Sequence, residues 1–126
     1  MMVLRTWLNG WATSTRYHEQ VRHKCLWGCP VGDDTTAHYI VCRRLWRSVQ
    51  AAVKEAVPID PLERLALASP TKANFRNLCI VYHAYHTFKF DYLDEVVACR
   101  ARHDNHTLAA CSKRVLRASA SFVQVI

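Results

Sequence analysis

KCLWGCPVGDDTTAHYIVC, residues 24–42, carries three cysteines and a histidine in the order C-x3-C-x8-H-x3-C: Cys25, Cys29, His38 and Cys42. Thiolates and imidazoles are the ligands that zinc prefers, and both half-site spacings fall within the ranges of structural zinc sites. Gly28 can take the backbone angles of a tight turn between the first two cysteines, and Pro30 ends that turn. Gly32, Asp33, Asp34, Thr35 and Thr36 read as a loop running into a helix N-cap. His38 and Cys42 lie four residues apart and share one face of the helix that follows. Two ligands from a turn and two from a helix make a closed, structural site with no open position for catalysis. The rival readings are three ordinary cysteines beside a buried histidine, or a disulfide. The N-terminal MMVLRTWLNG lacks the apolar core of a secretory signal, so a reducing compartment and metal ligation are expected.

The chain has 126 residues, the size of one small domain, and about half of them are apolar. A core of that size leaves a thin stability margin, which one metal site would widen. The most apolar run, Leu78 to Tyr82, is far too short to span a membrane. The net charge of +7 is placed unevenly: +4 over residues 1–50, −1 over 51–98 and +4 over 99–126. Two basic ends around a near-neutral middle favour polyanions through counterion release.

Outward from the cysteine cluster, the spacing predicts helices. Residues 3–13 place Val3, Leu4, Trp7, Leu8 and Trp11 on one apolar face. Residues 36–56 place Tyr39, Cys42, Trp46, Val49 and Val53 on one side, with Arg43, Arg44 and Arg47 as a positive strip beside the metal site. Pro58 and Pro61 stop that helix, and a short one over 62–68 follows, closed by Pro70. A long helix is predicted over 72–99, with Leu78, Val81, Tyr82, Tyr85, Phe88 and Tyr92 as its apolar bulk. His83 and His86 are three apart, as a metal would need, but no third ligand is obvious and helix packing is the more economical account. Residues 100–106 form a polar break. A final helix over 107–120 points Leu108, Cys111, Val115 and Leu116 inward and Lys113, Arg114 and Arg117 outward. Cys79, Cys99 and Cys111 lack finger spacing and read as small buried residues. The expected fold is therefore mainly α: a small helical domain with an N-terminal zinc knuckle, turn plus helix, and three to four further helices. Residues 1–57 would hold the N-terminal helix and the knuckle, and 58–126 a helical region packed with it as one domain.

Motifs for catalysis are missing. There is no Gly-rich phosphate loop, no G-x-S-x-G elbow and no H-E-x-x-H pair. His38 is followed by Tyr39 and Ile40, not by the glutamate of a zinc deaminase. The acidic pairs Asp33–Asp34 and Asp94–Glu95 fit capping and solvated helix faces. A non-catalytic chain is expected.

The stretch from Trp11 to Trp46 resembles the cysteine-rich segment at the C-terminal end of LINE-type (non-LTR) retrotransposon reverse transcriptases. WATSTRYHE, C-L-W-G-C-P, Asp33–Asp34 and H-Y-I-V-C-R-R-L-W carry the likeness. Copies abundant in dinoflagellate genomes, with a GC-P turn and a C-x2-L-W ending, are the most similar. The helices after Pro58 match only in being helical and apolar. The resemblance implies a zinc knuckle that helps hold template RNA or target DNA, with Cys25, Cys29, His38 and Cys42 as ligands. Charge and position then make Arg16, Lys24, Arg43, Arg44 and Arg47 candidate phosphate contacts. The polymerase's paired aspartates and any endonuclease are absent, so reverse transcription does not carry over. The expected function is a zinc-stabilised nucleic-acid-binding module of retroelement origin, in an intracellular, nuclear or cytoplasmic ribonucleoprotein, neither secreted nor in a membrane. The alternatives are a helical interaction piece that docks Trp7, Trp11 and the aromatic helix on a polymerase body or another copy of itself, or a decayed fragment without activity.

Overall fold

Side-chain oxygens set four of the helix starts. Thr35 accepts a hydrogen bond from the His38 amide, Asp60 from Leu62, Thr71 from Asn74 and Asp104 from Thr107. Each satisfies one of the amides that a helix N-terminus leaves without a partner. In the computed structural model, which describes residues 2–7, 10, 11, 13, 14 and 22–125, these caps frame a mainly helical chain. Among the described residues seven helices run in order: α1 Met2–Trp7, α2 Thr36–Val41, α3 Arg43–Val53, α4 Pro61–Arg64, α5 Lys72–Asp91, α6 Leu93–Ala101 and α7 Asn105–Val125. Among the described residues there is no strand, only one antiparallel bridge between Lys24 and Asp33. Among the described residues no helix is long and apolar enough to cross a membrane.

Every expected helix differs in extent from the one observed: the short one over 62–68 is Pro61–Arg64, the last over 107–120 is Asn105–Val125, and the other three differ more. The first stops at Trp7 in the described residues, and Trp11 lies outside it. Trp11 is nevertheless fully buried, stacked on Tyr39 at 5.8 Å and tilted against Tyr85 at 4.9 Å, with its indole N–H donated to Thr6. It belongs to this chain's own core and offers nothing to a docking partner. The helix expected over 36–56 divides at Cys42, whose φ of −67° and ψ of 111° are extended. The break exposes the carbonyls at the end of α2, and side chains from elsewhere take them up: Trp46 Nε1 donates to Tyr39 O at 2.9 Å and Arg64 Nη1 to Ile40 O at 2.8 Å. Arg64 also donates to Pro58 O and lies 4.8 Å above the Trp46 ring. The helix expected over 72–99 divides at Tyr92 into α5 and α6, and Asp94 and Glu95 in the first turn of α6 suit the positive end of its dipole.

One buried cluster draws on the whole chain, from Trp11 through Leu26, Trp27, Tyr39 and Trp46 to Phe88, Val96, Leu108 and Leu116. Leu108, Cys111, Val115 and Leu116 make the inner face of α7, as expected, while Lys113, Arg114 and Arg117 are exposed. Cys99 and Cys111 are buried and Cys79 half-buried. His83 bonds Ser119 and His86 the carbonyl of Tyr82, so packing accounts for both.

Asp34 is the largest departure from the sequence reading. It does not cap a helix. Its carboxylate is fully buried and takes five hydrogen bonds: from Tyr39 (2.7 Å) and Tyr85 (2.8 Å) on Oδ1, and from the Ser14 amide (3.0 Å), the Ser14 hydroxyl (2.8 Å) and Lys89 Nζ (2.7 Å) on Oδ2. The Lys89 side chain is 6% exposed. Burial works to raise the Asp34 pKa, but the bonds from Lys89, Tyr39, Ser14 and Tyr85 outweigh it and hold the carboxyl below its usual value. Removing one partner of such a pair strands a charge in the core. Lys89→Met should therefore cost about 3–5 kcal/mol in urea unfolding, and the Asp34→Asn/Lys89→Met double variant should lose less than the two single losses combined. Because the folded pKa is depressed, the Asp34 contribution is complete above about pH 4 and falls away as pH drops through the folded value. Asp34→Asn should flatten that acid limb of the stability profile.

Candidate metal centre

The bridge between Lys24 and Asp33 closes a short loop. Cys25 N donates to Gly32 O at 2.8 Å and Asp34 N to His23 O at 3.0 Å, so the first cysteine and Gly32 face each other. Within the loop, Gly28 N donates to Cys25 O at 3.1 Å and Gly28 adopts φ +91°, the left-handed turn expected of it. Leu26 and Trp27 at the crest of that turn are not exposed. They enter the core, Trp27 against Phe88 at 4.7 Å and Tyr39 at 6.0 Å. The turn is thereby pinned to the helices, and Cys25 and Cys29 are aimed at α2.

Cys25, Cys29, His38 and Cys42 converge as their spacing predicts. Their ligand atoms all lie within 4.8 Å of one another, and the arrangement could hold a metal ion. Cys25 Sγ and Cys42 Sγ are 3.7 Å apart, Cys29 Sγ and Cys42 Sγ 3.5 Å. A tetrahedral centre with metal–sulfur bonds of about 2.3 Å requires sulfurs about 3.8 Å apart. All the cysteines are free thiols. His38 Nε2 is buried without a hydrogen-bond partner, which a ligand nitrogen would be before its ion arrives. One detail differs from expectation: His38 sits in the first turn of α2, but Cys42 lies at the α2–α3 junction, not on a continuous helix face.

Backbone donors surround the sulfurs. The amides of Trp27 and Cys29 donate to Cys25, and that of Leu45, at the start of α3, to Cys42. The Cys42 hydrogen bond, helped by those amides, pulls the Cys25 thiol down to about 5 against the effect of burial. Cys42, the partner in that bond, is pushed up by it and by burial. Burial and the neighbouring Cys25 also raise Cys29, with Arg44 opposing them. The pocket thus accepts one negative charge readily and resists more, and a cation would let all three sulfurs ionise.

Two arginines brace the loop. Arg100, in α6, donates from Nη1 to Cys25 O at 3.0 Å and Cys29 O at 3.1 Å. Arg44 Nη1 donates to Gly28 O at 2.8 Å. Arg100 fell in what the sequence reads as a polar break; only its charge set it apart. Gly32 packs flat on the His38 ring, and a Cβ there would collide with the imidazole. The cluster also touches the Asp34 network. Leu26 N donates to the Tyr39 hydroxyl at 3.2 Å, and that hydroxyl donates to Asp34.

The remaining candidate residues are distributed as follows. Arg43 and Arg47 are exposed on α3. Arg44 is turned to the Gly28 carbonyl, and Lys24 is paired with Asp33 at 2.7 Å on the surface. Arg16 lies outside the described residues.

In reduced, metal-free protein, cobalt titration should give intense tetrahedral-thiolate absorption that saturates at one equivalent, and Cys42→Ser should abolish it. Gly32→Ala, which touches no ligand bond, should weaken cobalt affinity about tenfold or more by displacing His38.

Compared with known proteins, the chain matches no protein family, no curated protein and no solved structure at a significant level.

Proposed function

We propose that the chain is a non-catalytic, zinc-stabilised module that binds nucleic acid through phosphate contacts, and that it derives from the terminal segment of a retrotransposon reverse transcriptase. The observation that carries the zinc assignment is the convergence of three sulfurs and one unpartnered imidazole nitrogen within 4.8 Å of one another. Three thiolates and one imidazole suit zinc, and four protein ligands leave it no open position. The ion would cross-link the loop at Cys25–Cys29 to the α2–α3 junction. Its chemistry is structural.

The nucleic-acid reading rests on charge and placement. The chain carries +7 overall, and α3 starts at the metal ligand Cys42 and presents Arg43 and Arg47 to solvent. The N-terminal end of α3 adds the positive end of a helix dipole to the same surface. Arg44 contributes by holding the loop and Lys24 through an exposed, screened pair, so Arg43 and Arg47 are the principal phosphate contacts. The likeness of residues 11–46 to the LINE-type segment supports the same reading.

Binding to RNA or DNA should weaken steeply with salt and show little sequence preference. Arg43→Gln/Arg47→Gln should lower affinity and reduce the slope of log K against log salt by about two phosphate contacts' worth, with cobalt binding unchanged. Fluorescence anisotropy over a salt series measures both; an unaltered slope would remove α3 from the interface.

A further inference from the structure

Arg43 and Arg47 do not stand on a flat face. With Gln50 they form one wall of a groove of about 350 Å³, whose other wall is the chain between α3 and α4. That wall is apolar. Val57 is half-buried and Ile59 is 85% exposed. Arg64 lies at the base over the Trp46 ring, bonded to two backbone carbonyls and to no carboxylate among the described residues. No acidic side chain among them lines the groove. Gln50 turns its amide oxygen to Val57 N, at 3.4 Å, so its NH2 group remains as a donor.

This combination selects its ligand. Three guanidinium groups with no counter-charge among the described residues call for an anion, and an isoleucine held in water beside them calls for apolar surface on the same molecule. A duplex satisfies only the first demand, because the flat faces of its bases are stacked inside. An unpaired nucleotide satisfies both: its phosphate meets the arginines, while its base lies on aliphatic side chains and guanidinium planes and shows its edge to a donor such as Gln50. Building on the nucleic-acid reading above, we infer that the groove between α3 and the Val57–Arg64 segment is a single-strand site that takes one unstacked nucleotide, phosphate on Arg43 and Arg47 and base against Val57 and Ile59. Ile59 is then a specificity residue for unpaired over paired nucleic acid.

The test uses the full chain with one equivalent of zinc and three labelled probes at one low salt concentration: an oligouridine strand, an RNA duplex of equal length and a leucine-bearing oligoglutamate peptide. The single strand should bind about tenfold more tightly than the duplex, the margin of one base contact. Ile59→Ser, at a position too exposed to affect folding, should erase that margin and leave duplex binding unchanged. Equal loss on both nucleic acids, or no change, would overturn the groove assignment while leaving phosphate binding by α3 intact. Tighter binding of the peptide than of the single strand would overturn it in favour of an acidic protein segment. Failure of both nucleic acids to bind would sink the nucleic-acid reading and the groove with it.

Discussion

A carboxylate without water organises this protein. Asp34 could not stay ionised in an apolar core alone, since the desolvation cost would far exceed the stability of a domain this small. It stays because Ser14, Tyr39 and, one turn apart on α5, Tyr85 and Lys89 reach it from three separate parts of the chain. Each oxygen is filled, so the network is satisfied and directional. Directionality is what the hydrophobic core lacks by itself. Apolar helices can slide, but five hydrogen bonds to one carboxylate fix α5 against the loop before α2 and set the segment around Ser14 on both.

The cysteine–histidine cluster hangs from that frame. Tyr39 accepts from the Leu26 amide and donates to Asp34, so one phenol belongs to both sites. Trp27 fills the space between Tyr39 and Phe88. From the opposite side, Arg100 grips the two carbonyls of the cysteine turn, and Gly28 admits both Arg44 and Leu108 at distances no larger residue would allow. The four cluster side chains are thus positioned by helices remote in sequence. The thiol cluster is a local motif only in its spacing.

What could be read in the sequence was what depends on near neighbours. The cysteine–histidine set, the turn at Gly28, the cap before α2 and the inner face of α7 all follow from residues close to one another in sequence. The helix break at Cys42 was hidden because it has no proline or glycine; it is held by Trp46 and, from the next element, Arg64. Asp34 was hidden by its neighbour. Two adjacent aspartates before a helix look like one solvated pair, and here Asp33 does lie at the surface while Asp34 turns inward. One signal was available. Lys89 stands four residues after Tyr85 and eight after Val81, on the buried face of an aromatic helix, and a lysine there needs an acid to meet it.

The separation of these partners bears on how the chain can be made. Lys89 lies 55 residues beyond Asp34, and Arg100 lies 75 beyond Cys25. During synthesis the thiol loop leaves the ribosome long before either cation exists, with its carboxylate still in water and Leu26 and Trp27 still uncovered. Folding must wait for α5 and α6, so the first half of the chain is a dependent piece, exposed to chaperones and oxidants until the second half arrives to close it.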